Sequence, residues 1–328
     1  VCGLLGLVCP TEENAGHSVT AVANALPCQR HRGPDESDTW HGGEVVFGFN
    51  RLSIIDLEHA HQPLVWGPPE NPQRYAILGN GEIYNYLELR ADLVERYGAR
   101  FNTDGDIETI VAAYHHLGTG MLGQLRGMFA FLIWDTERKV VFGARDPFGI
   151  KPLYYAHGPH GVAFASEKKS LLSLSTTLGL PEELDHRAMQ HYLQLQYVPE
   201  PESLHSGIRR IESGTSFTLS PGGKVVTERY FQPNFSPRPV DGEAQADALH
   251  EKIADAMRDS VAKHMRADVT VGAFLSGGID STAIAALAKE PTRTSSPSPR
   301  ASSGRATRRS TWRRSRRRRS ASSTSSAP

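Results

Sequence analysis

The chain has 328 residues, 39% of them hydrophobic, and a formal net charge of zero, enough length and apolar content for about two packed domains. That zero averages two unlike parts: the charged residues after Pro291 are 11 arginines, which leaves 25 basic against 36 acidic residues before them. No run of about 18 apolar residues occurs, which excludes a membrane-spanning helix, and Cys2, Cys9 and Cys28 form neither a disulfide framework nor a CxxC metal pair, so a reducing cytoplasm is expected.

The first predicted element is a short buried strand over residues 2–8; it lacks the basic flank of a signal peptide. A second strand, Val45-Val46-Phe47-Gly48-Phe49, runs into Arg51-Leu52-Ser53-Ile54-Ile55-Asp56. A third, Tyr75–Leu78, is expected to end in a tight turn at Gly79-Asn80-Gly81. Leu89, Leu93, Val94 and Tyr97 lie at helical spacing within Tyr86–Tyr97, and a second helix is expected over Ile107–His116 with Asp104 or Asp106 at its start. Strands follow at Met128–Trp134, Val140–Ala144, Leu153–Ala156 and Val162–Ala165, then a helix over 185–196 and a hairpin of Ser216–Leu219 with Val225–Tyr230. Such an order points to an α+β fold with mostly antiparallel sheet. Pro233–Pro239 reads as a linker. Beyond it, Leu249, Ile253, Met257, Val261 and Met265 mark one helix face. Val269–Leu275 reads as a buried parallel-type strand, and Ser276-Gly277-Gly278-Ile279-Asp280-Ser281 as a loop opening a helix at Thr282. After Leu287 there is no Val, Ile, Leu, Met or Phe, and residues 291–328 are expected to be disordered.

Several polar, glycine-marked segments stand out: Cys2 at the terminus, His31-Arg32-Gly33-Pro34-Asp35, Arg51 at a strand end, Asn80-Gly81-Glu82-Ile83-Tyr84-Asn85, and Thr103-Asp104-Gly105-Asp106. Each alone is explicable as turn chemistry. Together, over residues 2–200, they resemble the class II (N-terminal-nucleophile) glutamine amidotransferases. Arg51–Asp56, Asn80–Asn85 and Arg145-Asp146-Pro147-Phe148-Gly149-Ile150-Lys151-Pro152-Leu153-Tyr154-Tyr155 resemble glutamine-hydrolysing asparagine synthetases in particular. The fold so implied is an N-terminal-nucleophile hydrolase sandwich, stacked antiparallel sheets flanked by helices, over 2–210. A hairpin and linker follow over 211–240, then the beginning of an α/β PP-loop ATP pyrophosphatase domain over 241–290, and the disordered tail.

The resemblance assigns roles. Amide hydrolysis needs a nucleophile, a proton acceptor and an oxyanion stabiliser. Cys2 is the implied nucleophile, with its own free α-amine as proton acceptor. Residue 1 must then be removed; Val1 fits a GTG start codon decoded as Met and trimmed. Asn80 and the Gly81 N–H are the implied oxyanion hole. Arg51, within a glutamine-binding stretch of Leu52, Ser53, Ile54 and Ile55, is to bind the α-carboxylate, and Asp106 with Glu82 the α-ammonium. His31–Asp35 is to order the pocket. Cys9 and Cys28 are expected to pack, and no metal ligands are expected, His115-His116 included.

Ser276, Gly277, Gly278, Asp280 and Ser281 resemble the PP-loop, where backbone N–H groups at a helix start hold ATP phosphates, and Mg²⁺ is a family expectation beside Asp280. The substrates implied are glutamine, aspartate and ATP: ammonia released at Cys2 amidates β-aspartyl-AMP to asparagine. A homodimer is a family expectation. Sugar-phosphate aminotransferases and phosphoribosyl amidotransferases share the first domain but lack the PP-loop, and β-lactam-forming relatives have lost the cysteine. An amidotransferase for another carboxylate remains open. The tail reads as a frameshift product, which leaves this chain at most glutaminase activity; the rival reading is a basic tail that binds nucleic acid through phosphates.

Overall fold

The computed structural model describes residues 2–181, 183–237 and 242–290; the expectations for Val1, for part of the linker and for the 291–328 tail lie outside the described residues. In chain order the elements are β1 (Gly3–Val8), α1 (Glu12–Ala25), β2 (Glu36–Gly42), β3 (Val45–Arg51), β4 (Leu64–Trp66), β5 (Tyr75–Ile83), α2 (Tyr86–Tyr97) and α3 (Asp106–Leu117). There follow β6 (Gly127–Asp135), β7 (Val140–Arg145), β8 (Tyr154–Gly158), β9 (Gly161–Ala165), α4 (Lys168–Leu172), α5 (Ser175–Leu178) and α6 (His186–Leu195). The last are β10 (Ile208–Arg210), β11 (Thr215–Leu219), β12 (Val226–Arg229), α7 (Glu243–His264) and α8 (Ile279–Lys289).

The strands form two antiparallel sheets, β10-β8-β9-β1-β3-β2 and β12-β11-β7-β6-β5-β4. Side chains alternate between faces along a strand, and β1 shows how this builds layers. Leu4 and Val8 pack into a core shared with Phe47, Leu78, Leu132 and Trp134 of both sheets. Leu5 and Leu7 face the opposite way, against Ala15 and Val22 of α1 and Leu171 and Leu174 in and after α4. On the far side of the second sheet, Ile77, Phe131 and Ile133 pack against Leu89, Leu93, Ile110 and Val111 of α2 and α3. Two sheets, each with one face on the other and one face under helices, make the expected sandwich. Gly6 sits where the sheets approach: a Cβ there would lie 2.6 Å from Leu132 Cδ1.

Two expectations need correction. Gly79-Asn80-Gly81 is no turn; β5 runs straight through it, paired residue for residue with Phe131, Ala130 and Phe129 of β6. The glycines are there for space. A Cβ on Gly79 would meet Ile107 at 2.7 Å, and one on Gly81 would meet the Met128 carbonyl oxygen at 2.1 Å. Val269–Leu275 forms no strand: Val271, Phe274 and Leu275 are exposed. A parallel strand needs neighbours to pair with, and the described residues here supply only α7 and α8.

α7 forms where the apolar spacing places it, yet none of its residues is buried. Its C-terminal end is tied to the first domain by charge. Arg266 grips Glu88 through two hydrogen bonds of 2.6 and 2.7 Å, and Lys263 reaches the same carboxylate at 3.0 Å. These ions hold the Glu88 carboxyl down at about 2.

Candidate active site

Cys2 stands one residue before β1, an inner strand between β9 and β3. Its position is set by two clamps. The Arg32 Nε donates to the Cys2 carbonyl at 3.0 Å, while Arg32 and His31 both engage Glu167. The Leu52 N–H points at Cys2 Sγ from 3.4 Å. Burial pushes the Cys2 thiol up, against the lowering effect of the Leu52 hydrogen bond, so at neutral pH the resting sulfur is protonated and needs a proton acceptor.

Cys2 opens on a cavity of about 100 Å³. Of the residues singled out from sequence, Arg51, Leu52, Ile54, Ile55, Asn80, Gly81, Glu82 and Asp106 line it with Cys2. Ser53 does not; its N–H is turned to the Asp35 carboxylate at 2.8 Å. Asn80 reaches the cavity because β5 is continuous. Its Nδ2 donates to Ser166 Oγ at 3.4 Å, and Oδ1 is buried without a partner among the described residues. An amide carries two N–H donors, and the Ser166 hydroxyl engages one of them. Ser166, which also accepts from the Leu4 N–H at 3.1 Å, went unnoticed in the sequence.

Asp106 begins α3 and accepts from the Ile83 N–H at 2.8 Å. Burial pushes its carboxyl up to about 6, with the Glu82 charge adding to the rise, and burial likewise raises Glu82. Two reluctant carboxylates in one cavity suit a cationic ligand, which would restore the charge that burial penalises.

Arg51 is more committed than expected. Its terminal nitrogens donate to the carbonyls of Ile55, Asp56 and Leu57 and to Glu36. It therefore holds the 52–57 loop in its curve around the cavity as well as lining it. Asp268, which sequence reasoning missed, holds the same loop from outside. Its carboxylate accepts from the Asp56 N–H at 2.7 Å, and its own N–H donates to the Ile54 carbonyl at 3.0 Å. Gln62, also missed, pairs both its amide groups with the backbone of Gly79, at 2.6 and 3.2 Å, and so extends the pairing just before β4 begins.

Lys151 also lines the cavity. It is buried, and burial pulls its ammonium down, opposed by the charges of Glu82 and Cys2. It belongs to the Arg145–Tyr155 wording quoted above, which carried no role for it.

The second candidate site is a separate surface groove lined by Gly277, Gly278, Ile279, Thr282, Ala283 and Ala286. Gly277 takes φ +84°, the left-handed region that glycine enters freely. Ser276 and Ser281 bring their hydroxyls within 3.1 Å, and Asp280 sits in the first turn of α8. The first N–H groups of α8 thus face a glycine-rich loop, which suits phosphate oxygens. Among the described residues no three His, Cys, Asp or Glu stand close enough together to hold a metal ion.

Among the described residues no helix is long and apolar enough to cross a membrane. Residues 1–231 match the family model of the glutamine amidotransferase domain, and residues 252–311 that of asparagine synthase. A putative asparagine synthetase [glutamine-hydrolyzing] of Mycobacterium tuberculosis is 58% identical over 299 residues, 88% of this chain and 46% of that protein. Asparagine synthetase [glutamine-hydrolyzing] 1 of Bacillus subtilis is 48% identical over 79% of this chain and 39% of its own length. The chain thus spans about half the length of the curated relatives it matches. Among solved structures, the glutamine phosphoribosylpyrophosphate amidotransferase of B. subtilis superposes with a TM-score of 0.50 at 17% identity, covering 88% of this chain and 64% of that one. The allosteric regulatory enzyme of purine biosynthesis gives the same TM-score at 18% identity, over 71% of this chain and 50% of that one; both likenesses concern the fold. With a sandwich of this kind and a family match over its first 231 residues, the chain belongs to the glutamine amidotransferase domain family.

Proposed function

We propose that the cavity at Cys2 hydrolyses glutamine to glutamate and ammonia, and that in the whole protein this ammonia amidates an ATP-activated aspartate to give asparagine. The observation that carries the first half is the convergence, in one cavity, of a thiol, an amide donor at Asn80 and two carboxylates pushed up by burial. The printed names of the relatives support the second half, together with the glycine-rich loop at the start of α8.

In this reading the α-amine of Cys2, freed by removal of residue 1, takes the Sγ proton as the sulfur attacks the side-chain amide carbon. The Asn80 amide and the Gly81 N–H receive the developing oxyanion. The proton passes to the departing nitrogen, which leaves as ammonia, and water then cleaves the thioester. Asp106 and Glu82 hold the α-ammonium of glutamine. The α-carboxylate lies toward Arg51 and the 52–57 loop. Ser276, Gly277, Gly278 and Ser281 cradle ATP phosphates with the N–H groups of α8, and Mg²⁺ would arrive with the nucleotide. No adenine or aspartate pocket is visible among the described residues, so synthesis is assigned to the whole protein. Three unpaired cysteines fit a cytoplasmic setting, and a homodimer is the expected assembly.

The test is glutaminase activity of the purified chain beside its intact mass and a Cys2→Ala control. Activity in the form that lacks residue 1, lost in the control, is the expected result. Correctly trimmed, folded protein without activity would refute the assignment.

A further inference from the structure

One motif has no part in the reaction as just described, although the fold invests heavily in it. Asp146 is wholly buried, and its carboxylate accepts from the N–H groups of Phe148, Ile150 and Lys151 at 3.1, 2.9 and 2.9 Å. Arg145, also buried, donates through Nε to the Lys151 carbonyl at 2.7 Å, and through its terminal nitrogens to the carbonyls of Gly149 and Ile211 and to Glu200. Both backbone groups of Lys151 are thus fixed by buried charged side chains. Charge-assisted hydrogen bonds in such surroundings are among the strong ones. What this arrangement presents is a single ammonium group at the wall of the Cys2 cavity, and that ammonium has no hydrogen-bond acceptor or ion-pair partner within bonding distance among the described residues. A lysine serving packing alone would snorkel to solvent; this one is held inside.

We propose that Lys151 is an electrostatic positioning residue of the glutaminase reaction, whose ammonium holds the Cys2 sulfur in its ionised form while the amide is attacked. This rests on the reading of Cys2 as the nucleophile. The charges around the sulfur are few. The terminal amine and Lys151 favour ionisation, whereas Asp106, from the start of α3, opposes it. Arg32 is directed at the Cys2 carbonyl and Glu167 rather than at the sulfur. Arg51 is engaged by Glu36 and the 52–57 loop. Around Lys151 itself stand Glu82, Cys2, Arg32 and Asp146. Lys151 is therefore acted on through space by both the sulfur and the Glu82 carboxylate, and among the described residues it is the side-chain cation on the cavity wall not already committed to another partner. It neither gains nor loses a proton in the cycle. The Sγ proton still travels to the α-amine and on to the leaving nitrogen, and Lys151 supplies fixed charge in a site where burial weakens screening.

The experiment measures the rate of Cys2 alkylation by iodoacetamide against pH, read on the Cys2 peptide by mass spectrometry, in the wild-type chain, Lys151→Gln and Lys151→Arg. Because it reads the sulfur directly, it decides the role of Lys151 even if the chain proves to have no glutaminase activity. The expected result is an alkylation midpoint about one pH unit higher in Lys151→Gln, and about tenfold slower alkylation at neutral pH. Lys151→Arg should stay near wild type. Glutaminase kcat should fall together with the thiolate fraction, with KM changing less. Equal midpoints in folded wild type and Lys151→Gln would overturn the proposal. If Lys151→Gln fails to fold, Lys151→Met and Lys151→Arg give the same comparison. Should neither neutral variant fold while Lys151→Arg does, a midpoint in Lys151→Arg displaced as far as one pH unit would equally overturn it.

Discussion

At the scale of single residues, the cavity trades stability for affinity. Asp106 has its carboxyl raised to about 6 by burial and by Glu82. A carboxyl raised on folding contributes stability that is complete below the unfolded value near 3.8 and is lost as pH rises through about 6. Asp106→Asn should therefore melt with wild type at pH 4 but above it at pH 7.5, by at most about 3 kcal/mol, while losing glutaminase activity. A calorimetric series across that range checks the sign, and a stability difference independent of pH would contradict it. On the proposed mechanism Asn80→Ala removes one oxyanion donor and should lower kcat by about a hundredfold or more with KM little changed, as steady-state assays over a range of glutamine concentrations would show.

At the scale of elements, the glycines separate what the sequence reveals from what it hides. Asn80-Gly81 was legible as a site, but its setting was not, because Gly79-Asn80-Gly81 has the composition of a turn. Only the packing of α3 and of the partner strand β6 shows that the glycines make room for Ile107 and for the Met128 carbonyl. The long apolar strands and the helices α2, α3 and α7 were readable from spacing alone. α1 was missed because it buries only Ala15, Val22 and Ala25, too small a stripe to register as periodic, and β2 because it is a polar edge strand, ESDTWHG. Lys151 and Asp268 were hidden for another reason: they act through contacts with distant segments that no local pattern records. Gly81→Ala places a Cβ 2.1 Å from backbone oxygen, whereas Gly6→Ala places one 2.6 Å from a movable methyl group. Gly6→Ala should cost about 1–3 kcal/mol. Gly81→Ala should cost more and take activity with it, and urea titrations of both variants would rank them.

At the scale of the whole molecule, the segment after α7 is joined to the loop around the Cys2 cavity by Asp268, eight residues before the loop at Ser276. Removing its carboxylate leaves the Asp56 N–H without its partner, at about 1–2 kcal/mol. Asp268→Ala should thus raise KM for glutamine several-fold while leaving the alkylation profile of Cys2 in place. A change in the profile instead would mean that the loop governs the sulfur and not the substrate.

The place of β1 between β9 and β3 also sets an order of events in time. β1 leaves the ribosome before both of its ladder partners, β3, ending at Arg51, and β9, ending at Ala165. The strand beside Cys2 is therefore made well before the last of its pairing partners. Long-range pairing of this kind is slow because loop closure precedes the contacts that reward it. Cys9, which is buried in the finished fold, offers a clock: nascent chains arrested before Ala165 should leave it open to a thiol reagent, and chains arrested well beyond it should not.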